Sequence, residues 1–160
     1  ECGLNVTVDD IKKNSRVTDV MWGKEKVCNY ESPAIVSEND SLFTILNSFS
    51  RNQNLNYAVK NHQGKLVGTI SLEHLKEVMQ IGDFAESMLA MDIMDPVTIT
   101  VKPSTTLPDA YQLFEENDLD AIPIEDTDGD TLGILEKTTV DHYLHTRIIE
   151  LNRKLDELDN

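Results

Sequence analysis

The 160-residue chain has only two cysteines, Cys2 and Cys28. That is too few for a disulfide framework and lacks the paired spacing of a zinc site, which fits a reducing compartment such as the cytoplasm. Basic residues are scarce: 14 Lys and Arg stand against 29 Asp and Glu, a formal net charge of −15. Such a charge opposes docking on nucleic acid or an anionic membrane surface, so nucleic acid is not expected as a partner. No apolar run approaches the roughly 20 residues that span a bilayer, and nothing near the start reads as a signal peptide. Also missing are a GxSxG elbow, a Walker loop, an HExxH pair and a paired-cysteine site, so no enzyme is expected. The first residue is Glu1 rather than methionine. A fragment of a longer polypeptide or a processed product fits that start, and a membrane-embedded part in the same polypeptide is compatible with either.

What the chain does have is a repeat, and a repeat decides the fold class. Leu42, Ile45, Leu46 and Phe49 follow the i, i+3, i+4, i+7 spacing of a buried helical stripe, and Leu107, Ala110, Tyr111 and Phe114 repeat it 65 residues later. Upstream, Ala34-Ile35-Val36 matches Ile99-Thr100-Val101, and downstream NYAVKN at 56–61 matches AIPIED at 121–126. Each of these is followed by a glycine-bearing turn, His62-Gln63-Gly64-Lys65 or Thr127-Asp128-Gly129-Asp130, as a hairpin requires. A second helix then carries Leu75, Val78 and Met79, or Val140, Tyr143 and Leu144. Short lead-ins, Asp19-Val20-Met21 and Asp92-Ile93-Met94, stand 73 apart, so the first unit holds eight extra residues between lead-in and strand.

The expected fold is α+β: two β-α-β-β-α units related by a pseudo-twofold and packed through their sheets. A lone unit of about 60 residues leaves one sheet face uncovered, and a partner unit buries it. Residues 1–80 are expected to hold the N-terminal lead-in and first unit, and 81–144 the second with its lead-in. The extension of the last helix then occupies 145–160. Gly82 can end the helix before the boundary at low strain.

Two other clusters have plain explanations. Asp126, Asp128 and Asp130 alternate like a calcium loop, but Thr131 and Lys137 stand where an EF-hand needs glycine and glutamate, so a solvated hairpin turn is expected. His142 and His145 have no third ligand of evident geometry and are assigned to a helix surface, with no metal site expected.

The DVM and DIM lead-ins, the repeated element order, IPIED before an Asp-Gly turn, and LVG and TLG ahead of the last helix together resemble the tandem CBS domain, or Bateman module. That resemblance implies a regulatory module within an enzyme, channel or transporter, commonly a disc-like homodimer. It also implies clefts that take adenosyl compounds: AMP, ADP, ATP or S-adenosylmethionine. In the family's pattern a glycine is followed three positions on by Ser or Thr and three further on by an aspartate that bonds the ribose hydroxyls. The resemblance places Ala34, Tyr57, Ala58, Ser71 and His74 at a first cleft, and Thr98, Ile122, Pro123 and Thr139 at a second.

The carry-over is partial. After Gly68, Ser71 fits, but His74 replaces the aspartate and can accept one hydroxyl bond, not two. After Gly133, Glu136 replaces the hydroxyl, and a carboxylate about 4 Å from a phosphate costs roughly 1 to 4 kcal/mol, which predicts that the second cleft rejects phosphate. A frame slipped by two residues would instead supply Thr138 and Asp141. Ser71 and Thr138 can equally be helix N-caps, with Asp141 completing a capping arrangement, and Tyr57 and Ile122 can equally fill core.

Leu144, Ile148, Leu151, Leu155 and Leu158 are separated by 4, 3, 4 and 3, a heptad seam of about two repeats that offers a docking or packing face. The segment RVTDVM after CGLN is similar to the start of the cytoplasmic region of ClC-type chloride channels and antiporters; magnesium transporters and soluble enzymes carry such pairs too. A ligand-free structural dimerisation module and a divalent-cation sensor are the competing readings.

Overall fold

The computed structural model describes residues 7–22 and 34–159. Cys2, Cys28, the CGLN segment and nearly all of the extra residues after the first lead-in lie outside them. In chain order the elements are α1 (Val8–Asn14), α2 (Val17–Trp22), β1 (Ile35–Ser37), α3 (Leu42–Arg51), β2 (Asn56–Lys60), β3 (Leu66–Ser71), α4 (Leu72–Met79), a 3-10 turn (Asp83–Ser87), α5 (Ala90–Ile93), β4 (Asp95–Pro96), α6 (Leu107–Glu116), β5 (Ala121–Glu125), β6 (Thr131–Glu136) and α7 (Lys137–Leu158). They form two compact units, each built from non-contiguous segments.

One unit comprises residues 29–102 and 121–136. Its larger sheet has the order β1-β2-β3-β4, parallel between β1 and β2 and antiparallel elsewhere, and β5 pairs with β6 in a second hairpin. The core cluster draws Leu42, Ile45 and Phe49 from α3, Leu75 and Val78 from α4, Tyr57, Val59 and Ile70 from the sheet, Ala90 and Ile93 from α5, and Ile134 from β6. The apolar stripes read from periodicity are therefore the buried faces.

The other unit comprises residues 1–28, 103–120 and 137–160. Here α1 lies along α6 and α7, with Ile11, Leu107, Ala110, Phe114, Val140 and Leu144 buried. A reciprocal capping box between Thr7 and Asp10 starts α1, and the Lys12 ammonium sits 3.7 Å from the centre of the Tyr111 ring.

The repeat is exact down to single hydrogen bonds. Asn61 Oδ1 accepts from the N–H groups of Gln63 and Lys65, and Asp126 Oδ1 from those of Asp128 and Asp130. Gly64 and Gly129 take φ of 79° and 85°, the left-handed turn position where a Cβ is costly. The Leu72 N–H reaches the Leu55 carbonyl at 2.9 Å and the Lys137 N–H the Asp120 carbonyl at 2.9 Å. Where the first repeat has β1, the second keeps only an isolated parallel bridge, Val101 with Ile124.

The lead-ins are exchanged. The Val17 N–H of α2 bonds the Thr105 carbonyl, just ahead of the second repeat's α6, and the Ala90 N–H of α5 bonds the Asp40 carbonyl, just ahead of the first repeat's α3. The donors are 73 apart and the acceptors 65, so each lead-in caps the opposite repeat by the same contact.

Candidate functional site

The first repeat gathers the sequence-predicted residues on one hairpin and the helix that leaves it. Asn56 stands opposite Ser71, Ala58 opposite Thr69 and Tyr57 opposite Ile70 in the β2–β3 register. Alternation then puts Tyr57, Val59 and Ile70 on the face turned to the core, and Asn56, Ala58, Thr69 and Ser71 on the other. Thr69 is in register with the exposed Asp95 of β4, so a row of Ile35, Ala58, Thr69 and Asp95 crosses the sheet. Asn56, Thr69 and Asp95 were not singled out in the sequence. Strand alternation around Ala58 points to Asn56, whereas Thr69 and Asp95 are brought in by pairing over distances that periodicity does not encode.

Ser71 is the N-cap of α4, its Oγ accepting from the His74 N–H at 3.1 Å. The His74 ring is 40% exposed, and its Nδ1 lies 4.0 Å from Glu77 Oε2, on the same helix. Ala34 is buried in the core cluster, and its carbonyl accepts from the Ala58 N–H. Tyr57 is 1% exposed and belongs to the core: its ring meets Phe49 edge-on at 4.4 Å, and its hydroxyl donates to the Ser48 carbonyl and accepts from Asn52 Nδ2. Burial raises its phenol pKa, the Asn52 bond opposes that shift and the nearby Glu136 charge adds to it. Both faces of the tyrosine hydroxyl are thus spent internally, which is the core-filling role and not a stacking surface.

Gly68 is needed for packing: a Cβ there would meet the Met94 Sδ at 2.6 Å and the Asp95 carbonyl at 2.8 Å. Only glycine lets β4 and the end of the lead-in lie this close to β3.

Glu136 has a different part from the one its position suggested. It is 6% exposed, and its Oε1 accepts from the backbone N–H groups of Leu55 at 2.8 Å and Asn56 at 3.2 Å, the entry to β2. Burial pushes its carboxyl above the ordinary value and the two N–H bonds pull the other way without cancelling it. Instead of facing a phosphate, the carboxylate pins the start of the first repeat's β2.

In the second repeat, Ile122 and Pro123 are buried in β5, Thr98 is exposed, and Thr139 is half-buried in the first turn of α7. Thr138 corrects the capping expectation: α7 begins at Lys137, 65 residues after Leu72, so Thr138 lies inside the helix and cannot be its N-cap. The backbone keeps the unslipped register. Burial raises the Asp141 carboxyl pKa, and the charge of Lys12 opposes that shift. Among the described residues, no group of three or more His, Cys, Asp or Glu side chains could hold a metal ion.

Two matching repeats with exchanged lead-ins, the second with a bridge in place of the first strand, define a paired-repeat module. The chain belongs to the CBS domain family, whose profile matches residues 25–81 and 90–146. An uncharacterized protein of Methanocaldococcus jannaschii is 26% identical over 139 residues, covering 67% of this chain and 83% of that protein. The fold is shared with CBSX2 of Arabidopsis thaliana in a structure solved as its AMP complex (TM-score 0.61, 24% identity, 82% of this chain and 98% of that one). It is shared also with the CBS domain of a bacterial CNNM/CorC family Mg2+ transporter (TM-score 0.69, 14% identity, 86% and 79%). Members of this family are generally regulatory rather than catalytic. Among the described residues no helix is long and apolar enough to cross a membrane.

Proposed function

We propose that this chain is a cytoplasmic regulatory CBS pair that senses an adenosine-containing ligand at its first repeat and controls a larger channel, transporter or enzyme, working as a homodimer. The observation that carries the ligand reading is the polar face of the first hairpin, where Asn56, Thr69 and Ser71 lead to the start of α4 and Asp95 stands one strand away. A helix start with a hydroxyl suits phosphate, and Asp95 offers the pair of acceptor oxygens that His74 lacks for a ribose diol. The AMP bound by CBSX2 supports the choice of ligand class. Regulation follows if the ligand binds one arrangement of the module more tightly than another.

The competing reading is a ligand-free structural dimerisation module. It is favoured by the internal use of Ser71 Oγ, the close packing over Gly68 and the burial of Glu136. Titration calorimetry with AMP, ADP, ATP and S-adenosylmethionine separates the two, with MgCl2 alone as a test of cation sensing. Saturable heat from an adenosyl ligand, weakened about tenfold by Ser71→Ala, is the expected result, the loss of one hydrogen bond to a charged group. No heat from any of the four leaves the structural reading.

A further inference from the structure

The last helix outruns the unit that holds it. At 1.5 Å per residue the 22 residues of α7 extend about 33 Å, whereas the seven of α1 extend about 10 Å. Burial falls away accordingly: Val140 and Leu144 are buried, Ile148, Leu151 and Leu155 are half-exposed, and Leu158 is 81% exposed. The seam nevertheless continues without a break to Leu158. We propose that the C-terminal half of α7 forms a parallel two-helix coiled coil with α7 of a second copy of this chain.

Three features select that partner. The spacing of 4, 3, 4 and 3 puts Ile148 and Leu155 at heptad positions a, and Leu144, Leu151 and Leu158 at positions d. Within parallel coils a β-branched residue at a with Leu at d favours two strands, and Ile148 supplies it at one of the two a positions. Charge selects the parallel orientation. Positions g are Arg147 and Lys154, and positions e are His145, Asn152 and Asp159. Parallel pairing sets Lys154 against Asp159 of the other copy, whereas antiparallel pairing would set the cations at g against each other. Finally, the chain's −15 charge would push two copies apart, but residues 145–159 carry three basic side chains (Arg147, Arg153, Lys154) and four acidic ones (Glu150, Asp156, Glu157, Asp159), nearly balanced. Two heptads are too short for a free-standing coil. Here the helix is already formed and anchored at Val140 and Leu144, which removes much of the ordering cost.

This inference rests on the homodimer in the proposed function and not on its ligand. Sedimentation equilibrium of the whole chain is expected to show a dimer, and Leu151→Asp with Leu155→Asp to raise its dissociation constant at least about 100-fold. Thermal unfolding of the doubly substituted monomer should retain a cooperative transition, because these side chains lie beyond the buried part of α7. In a Cys2→Ser, Cys28→Ser background, Leu155→Cys should cross-link on oxidation, as a parallel a position allows. Lys154→Glu should weaken the dimer several-fold and added Asp159→Lys restore it. A dimer indifferent to these changes, or one without the cross-link, overturns the coil while leaving a homodimer; a monomeric chain overturns both. Calorimetry with AMP tests the ligand site separately in every case.

Discussion

At Glu136, one side chain links the second repeat to the first repeat's hairpin. The carboxylate is taken out of water, which raises its pKa, yet it accepts two backbone N–H groups at the entry to β2, and those bonds pull the pKa back. Because the folded-state pKa lies above the unfolded one, the folded state holds the proton more tightly. Any stabilisation from that protonation is complete below the ordinary carboxylate range and is lost as pH rises through the raised folded value. Glu136→Gln keeps an acceptor oxygen and removes the charge. The variant should gain on the parent as pH rises from the ordinary carboxylate value of about 4 through the raised value of Glu136, read as the difference in urea midpoint across a pH series. A difference that stays flat, or shrinks with rising pH, would contradict a buried, proton-retaining carboxylate.

At the scale of elements, the repeat was legible because it is written in local chemistry. Stripes at helical spacing, glycines at φ near 80° and a turn residue at 61 and 126 are all fixed by neighbours a few positions away. The two turns make a paired prediction. Asn61→Ala and Asp126→Ala each remove an acceptor that holds two N–H groups. Each should cost about 1 kcal/mol, measured by chemical denaturation, with the two losses alike despite the change from amide to carboxylate. The site was less legible. The resemblance put Tyr57 beside a ligand, but its side chain lies on the core face of β2, with its ring against Phe49. Glu136 read as a hostile charge because the two N–H groups that need it lie 81 and 80 residues away. Thr69 and Asp95 entered through cross-strand register, and a single sequence without a fold carries no signal for that.

At the scale of the whole molecule, the first repeat's core is completed by residues from beyond it. The core cluster that contains α3 and α4 also takes Ala90 and Ile93 from the second lead-in and Ile134 from β6. The loop ahead of α3 is held by N–H groups of Ala90 and Met91, and the entry to β2 by Glu136. A fragment ending at residue 80 keeps β1, α3, β2, β3 and α4 but loses every one of these contacts. Roughly 2 to 5 kcal/mol is expected from a single large aliphatic side chain lost from a core, against a total stability of about 5 to 15 kcal/mol for a domain. Losing Ile93 and Ile134 from the core, with Ala90, the edge strand β4 and the β2 anchor, is comparable to that whole margin. Residues 1–80 expressed alone should therefore show no cooperative thermal transition and poor amide dispersion by NMR. Supplying residues 81–160 in trans should restore both, since the missing pieces pack by non-covalent contacts alone. A fragment 1–80 that melts cooperatively without its complement would mean that the exchanged lead-in and Glu136 decorate an already stable repeat instead of completing it.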